Sequence, residues 1–148
     1  MINRARHERR VEITVIEHDT YNTLGHAEIA VVASGTATVE AALAGTPMVI
    51  VYRASEINWR LLRPLIRLDT FGMVNLIAGR RVVPELIQRE VTGERIAAEV
   101  MALLSDSNRF VRMRKDLAIV RERLCARGGG ASERAARAIM RAIDQTSA

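Results

Sequence analysis

Residues 29–52 read IAVVASGTATVEAALAGTPMVIVY, and their pattern decides the fold. Two apolar, β-branched runs, Ile29 to Ala33 and Met48 to Tyr52, lack polar alternation, as expected for strands covered on both faces of a parallel sheet. Between them lie a small polar turn, Ser34-Gly35-Thr36, a helical segment to Ala44, and a Gly45-Thr46-Pro47 link. The unit is strand, turn, helix, strand. Its turn falls at the carboxyl end of a strand and the amino end of a helix, where open α/β sheets hold ligands. Helix N–H groups and the positive end of the dipole suit a phosphate there.

Gly35 lets a ligand approach the backbone without a Cβ in the way. The hydroxyls of Ser34 and Thr36 either donate to phosphate oxygens or cap the helix. Glu40, one helical turn beyond Thr36, is either an acceptor for sugar hydroxyls or a solvated surface glutamate. Phosphate first and ribose next is the order of a nucleoside diphosphate.

The block SGTATVEAALAGTPMVIVYR (34–53), followed by MVNLIAGRRVVPELIQ (73–88), resembles the C-terminal half of the lipid-A-disaccharide synthases, bacterial glycosyltransferases of the GT-B architecture. The first block is shared with other nucleotide-sugar enzymes, such as the glycosyltransferase that makes lipid II and the UDP-N-acetylglucosamine 2-epimerases, which form the alternative reading. The second, Asn75 to Arg80 and then Val83-Pro84-Glu85-Leu86, is similar to the synthases in particular. The likeness runs from about Val11 to the C-terminus. It implies an α/β fold: an incomplete Rossmann-like domain with a parallel sheet flanked by helices, and a helical C-terminus. It also implies a UDP-sugar donor held by Ser34, Gly35, Thr36, Glu40, Asn75, Gly79, Arg80 and Glu85, without metal or cofactor. The family's N-terminal, acceptor-binding domain and the first strand and helix of its donor domain have no counterpart here. No catalytic base is therefore identified, and the chain alone is expected to be inactive. A non-catalytic fragment is the third reading. The resemblance further allows the missing domain as a partner, peripheral contact with the inner membrane, and a homodimer of the intact enzyme.

Length and composition agree with one domain. The chain has 148 residues, 49% hydrophobic and 26% charged, enough for one real core and not two. Aromatic residues make up only 3%, so the core must be built from Leu, Ile, Val, Ala and Met. The net charge of +5 is carried by arginine, with Lys115 the sole lysine. A basic surface meets anions such as nucleotide phosphates or acidic lipid headgroups. Nucleic acid is disfavoured, because no binding motif and almost no stacking residue is present. Cys125 excludes an intrachain disulfide, fits a reducing compartment, and reads as a packing residue. His18 and His26 lack partners at ligand spacing and are read as surface residues. No signal peptide or apolar span of about 20 residues is visible, which points to the cytoplasm.

The remaining segments divide as follows. Residues 1–10 form a basic leader, residues 11–127 the truncated UDP-binding domain, and residues 128–148 a glycine hinge with a final helix. Val11 to Ile16 is expected to be a strand, and Glu17 to Glu28 a turn and short helix capped by Asp19 or Thr20. A helix from Glu56 towards Leu68, interrupted by Pro64, places Arg60, Arg63 and Arg67 on one face; it either packs on the sheet or lies against anionic lipid. Asp69 to Arg81 reads as an ordered loop with at most a turn of helix. Pro84 at a first helical position predicts a helix over Val82 to Arg89. Thr92 caps the next helix, with Ile96, Val100, Leu103 and Leu104 as its stripe. Phe110, Met113, Leu117, Val120 and Leu124 line one side of another, and Ser132 caps the last, with Ala136, Ile139, Met140 and Ile143 facing inward.

Overall fold

The computed structural model describes residues 12–55, 59, 70–125 and 130–146. The basic leader, the helix with Arg60, Arg63, Pro64 and Arg67, and most of the glycine hinge lie outside the described residues. Within them the order is α1 (Thr20–His26), β1 (Ala30–Ala33), α2 (Thr36–Ala44), β2 (Met48–Tyr52), α3 (Met73–Ala78), β3 (Glu85–Ile87), a 3-10 turn (Gln88–Glu90), α4 (Gly93–Ser105), α5 (Ser107–Leu124) and α6 (Ala131–Thr146). The three strands form one parallel sheet in the order β1-β2-β3. The fold is α/β, a partial Rossmann-like domain.

β2 is central, and Met48, Val49 and Ile50 are almost wholly buried. Each such side chain contributes about 1.5–3 kcal/mol by leaving water. α2 packs on β1, α1, α3 and α5, while α4 packs on β2 and α5. Leu103 of α4 and Met113, Leu117 and Val120 of α5 complete a core without an aromatic ring among its buried members. Two residues place the helix between the first two strands. Gly45 takes φ +75° after α2, a left-handed conformation that favours glycine, and its N–H and that of Thr46 return to the Ala42 and Ala41 carbonyls. The Thr46 hydroxyl then donates to the Leu24 carbonyl at 2.7 Å, which ties the end of α1 to the entry of β2.

Several expectations are corrected. Val32 is the only buried residue of β1, and Val31 is 47% exposed, because β1 is an edge strand with no neighbour on its outer side among the described residues. Residues 12–16 are not a strand and leave Val15 and Ile16 exposed; an apolar, β-branched run becomes a strand only where a ladder partner exists. The segment after Pro84 is a strand rather than a helix. The residue before a proline is held extended, and the Pro84 carbonyl accepts from Ile50 N–H at 2.9 Å, so pairing with β2 begins there. Cys125, at the end of α5, is exposed and packs in no core.

The two long helices match their stripes closely. Thr92 accepts from Arg95 N–H as the cap of α4, and Asp106 caps α5 through Arg109 N–H at 3.0 Å. Leu104 departs from its stripe at 43% exposed. α6 begins at Ala131, one residue before the expected cap. Its Ile139, Met140 and Ile143 are more than half exposed, so its apolar face is directed away from this core. No helix among the described residues is long and apolar enough to cross a membrane.

Candidate functional site

The turn after β1 is built by backbone constraint. Gly35 has φ +156° and ψ −162°, a region essentially closed to residues with a Cβ. A Cβ built there would meet nothing within 4 Å, so the demand for glycine comes from the backbone angles and open space lies in front of it. Ser34 is anchored into the sheet, its N–H donating to the Val51 carbonyl at 2.8 Å. Its hydroxyl donates to the Phe71 carbonyl at 3.4 Å, across to the loop before α3.

Among the described residues, no side chain caps α2. Neither Ser34 nor Thr36 takes that role. Thr38, fully buried, instead donates its hydroxyl to the Gly35 carbonyl at 2.7 Å and fixes the turn from below. Thr38 N–H also meets the Gly35 carbonyl, at 3.2 Å, whereas the N–H groups of Thr36 and Ala37 have no acceptor among the described residues, the arrangement that receives an anion. Thr36 and Glu40 are both exposed, one turn apart.

The facing loop is held by two buried polar side chains. Glu85, at the start of β3, accepts from Phe71 N–H at 2.8 Å, from Gly72 N–H at 2.9 Å and from Asn75 Nδ2 at 2.6 Å. Asn75, fully buried, also donates to the Val83 carbonyl at 2.9 Å and accepts from the N–H groups of Val82 and Val83 at 2.7 and 3.0 Å. Every polar atom of both side chains is engaged inside the protein, which is what makes their burial tolerable. Their geometry positions the loop at 70–72 and closes the return from α3 to β3. Gly72 is required by close approach: a Cβ there would lie 2.4 Å from Ile50 Cδ1 and 3.0 Å from Glu85 Oε1.

Of the residues expected to hold a donor, Ser34, Gly35, Thr36 and Glu40 lie along the turn and the first turns of α2. Asn75 and Glu85 lie under the facing loop, connected to the turn through Phe71. Gly79 and Arg80 are elsewhere. Gly79 ends α3 at φ +71°, and Arg80 pairs with Asp116 of α5 at 2.6 Å. Arg80 lines a cavity of about 470 Å³ together with Arg81, Arg95, Glu99, Arg109 and Arg112, and no residue of the turn borders it. Three of those arginines already face carboxylates: Arg80 with Asp116, Arg95 with Glu90, and Arg109 with Glu99.

Two features escaped the sequence reading. Gln88, buried with φ +54°, accepts from Ala54 N–H at 2.6 Å and donates to the Ala54 carbonyl at 3.3 Å, copying a strand pairing with its side chain. It thereby fixes the chain leaving β2. Tyr52, Trp59 and Phe71 gather at the carboxyl end of β2, with ring centroids 5.5–6.5 Å apart. No periodicity or spacing in the chain signals either contact.

Comparison with known proteins adds a family to this geometry. The family model described as lipid-A-disaccharide synthetase matches residues 1–140. The lipid-A-disaccharide synthase of Koribacter versatilis is 50% identical over 124 residues, covering 82% of this chain and 32% of that relative. That of Solibacter usitatus is 45% identical over 132 residues, covering 89% of this chain and 34% of the relative. The Syntrophus aciditrophicus synthase is 43% identical over 124 residues, with 84% and 32% covered. The chain thus spans about a third of the length of the curated relatives it matches.

Proposed function

Since the chain belongs to the lipid-A-disaccharide synthase family, a family of glycosyltransferases, we propose that it is the part of such an enzyme that binds the UDP-sugar donor. The observation that carries this reading is the amino end of α2 behind Gly35, where strained glycine backbone precedes the N–H groups of Thr36 and Ala37, which have no acceptor among the described residues. The diphosphate rests on the turn, with the Ser34 and Thr36 hydroxyls beside it. Glu40 accepts from the ribose hydroxyls. Asn75 and Glu85 take part by holding the loop opposite, and residues 11–127 form the nucleotide-binding unit, with residues 128–148 its hinge and terminal helix.

The reaction proposed for the whole enzyme joins UDP-2,3-diacylglucosamine to 2,3-diacylglucosamine 1-phosphate and releases UDP. The acceptor's hydroxyl oxygen forms a bond to the donor's anomeric carbon and gives its proton to a base, the bond between that carbon and the β-phosphate oxygen breaks, and UDP leaves with the electron pair. The donor part lowers that barrier by fixed dipoles set against the departing charge. Acceptor and base come from the remainder of the enzyme, whose proximity supplies much of the rate. We place this chemistry on the cytoplasmic face of the inner membrane, in an enzyme that meets the membrane peripherally and forms homodimers.

Calorimetry with UDP, in the absence of divalent metal, tests the donor reading. Glu40→Ala is expected to weaken binding by about 1–3 kcal/mol, the value of a lost hydrogen bond to a bound ribose. Unchanged affinity would remove Glu40 from the site. The chain supplied with both lipid substrates is expected to form no disaccharide by itself. Turnover by it alone would place base and acceptor site within these residues and overturn the division of labour.

A further inference from the structure

The chain has two Phe, two Tyr and one Trp, and three of these five rings meet at one place. None belongs to the buried core. In a sheet whose core is made of Val, Ile, Leu, Ala and Met, aromatic area is collected at the carboxyl end of the central strand. Tyr52 is the last residue of β2 and is 36% exposed; Phe71 and Trp59 are half-buried against it.

The cluster is fixed to the turn by construction. Phe71 presents its carbonyl to the Ser34 hydroxyl, and its N–H is held by the buried carboxylate of Glu85. Gly72 beside it admits no side chain. On the other side, Gln88 clamps Ala54, two residues after Tyr52. Buried polar groups are costly unless fully paired, and here two of them hold the positions that carry these rings.

Ring geometry decides what such a surface can hold. Tyr52 and Phe71 already stack on each other, with an interplanar angle of 11° and centroids 6.3 Å apart, and Trp59 tilts against them at 56° and 45°. A heterocyclic base needs an open ring face and directional polar partners. Three partly exposed aromatic residues gathered within 6.5 Å offer apolar area that dictates no single orientation, which suits a saturated hydrocarbon chain.

The geometry points to the Tyr52–Trp59–Phe71 cluster as an apolar subsite for the acyl-bearing sugar of the donor, beside the diphosphate turn. This rests on the donor reading above and extends it to the part of the ligand beyond the phosphates. Phe71 and Tyr52 contact the hydrocarbon, while Glu85 acts through Phe71 as a positioning residue. Specificity then divides between two neighbouring surfaces: the turn selects the nucleotide, and the rings select acylated over unacylated sugar.

Trp59 is the only tryptophan, so its fluorescence reports on the cluster directly. The test titrates the chain with UDP and with a short-chain analogue of UDP-2,3-diacylglucosamine that stays monomeric, following both heat and Trp59 emission. The acylated ligand is expected to bind at least tenfold more tightly than UDP and to shift Trp59 emission to the blue. Phe71→Ala and Tyr52→Ala are expected to remove most of that preference and leave UDP affinity unchanged. Phe71→Leu, which keeps apolar volume, is expected to retain it. Equal affinity of the wild type for both ligands would overturn the subsite, as would a preference that survives Phe71→Ala and Tyr52→Ala. Equal loss of both ligands in Tyr52→Ala would also overturn it, since the rings would then serve the fold alone. Failure of the donor reading looks different: the wild type would bind no UDP at all, and the subsite would fall with it.

Discussion

Asn75→Ala separates two roles that one buried amide can play. The side chain accepts from Val82 and Val83 N–H and donates to the Val83 carbonyl and to Glu85, with none of its surface exposed. Truncation leaves two backbone donors and one carbonyl without their partner, and takes one of three donors from a buried carboxylate. A stranded buried group costs about 1–3 kcal/mol, and water entering the small space restores part of it. The net loss expected is about 3–5 kcal/mol, a large share of the roughly 5–15 kcal/mol that stabilises a domain. Urea unfolding followed by far-ultraviolet circular dichroism reads it. With a slope of about 1–2 kcal/mol per molar, the midpoint should fall by roughly 1.5 M or more. Trp59 fluorescence should give the same transition if unfolding is cooperative. A loss below about 1 kcal/mol would rule out this role, because the groups packed around Asn75 would then not depend on it. If UDP affinity fell sharply in that same stable variant, Asn75 would be a direct ligand contact.

Gly72→Ala should destabilise by about 1–3 kcal/mol through overpacking against Ile50 and Glu85, read as a lowered thermal midpoint; an unchanged midpoint would mean that the loop yields freely. Thr38→Val removes the hydroxyl beneath Gly35 and should cost about 1 kcal/mol of stability, with UDP affinity falling as the turn loosens; unchanged UDP affinity would show that the turn does not need this support. Ile139→Lys on α6 should change chemical stability by less than about 0.5 kcal/mol, since the side chain is 60% exposed; a large loss would show that this face packs within the chain.

The strand, turn, helix and strand from Ile29 to Tyr52 were legible because each boundary carries its own local chemistry. β-branched runs, a small Ser34-Gly35-Thr36 turn, and a Gly45-Thr46-Pro47 stop all act within a few residues. The helix stripes of α4 and α5 were legible for the same reason. Pro84 misled because it suits a first helical turn as well as the start of a strand, and three residues of β3 are too few to show a period. Residues 12–16 misled in the opposite direction, since a strand also needs a neighbour that propensity does not supply. The periodicity of α6 marked an apolar face without saying whether this core covers it. In the site, residue types at the turn could be read, while the duties of Asn75 and Glu85 could not. Their contact spans ten residues and depends on α3 folding back onto β3, which no local pattern encodes.

Binding of UDP at the amino end of α2 is tested at single residues by amide proton–nitrogen spectra recorded during a UDP titration. Saturable shifts are expected, largest for the amides of Gly35, Thr36 and Ala37, with the arginine-lined cavity around Arg80 and Arg112 undisturbed. Shifts concentrated on that cavity, with Gly35 and Thr36 unmoved at saturation, would contradict it.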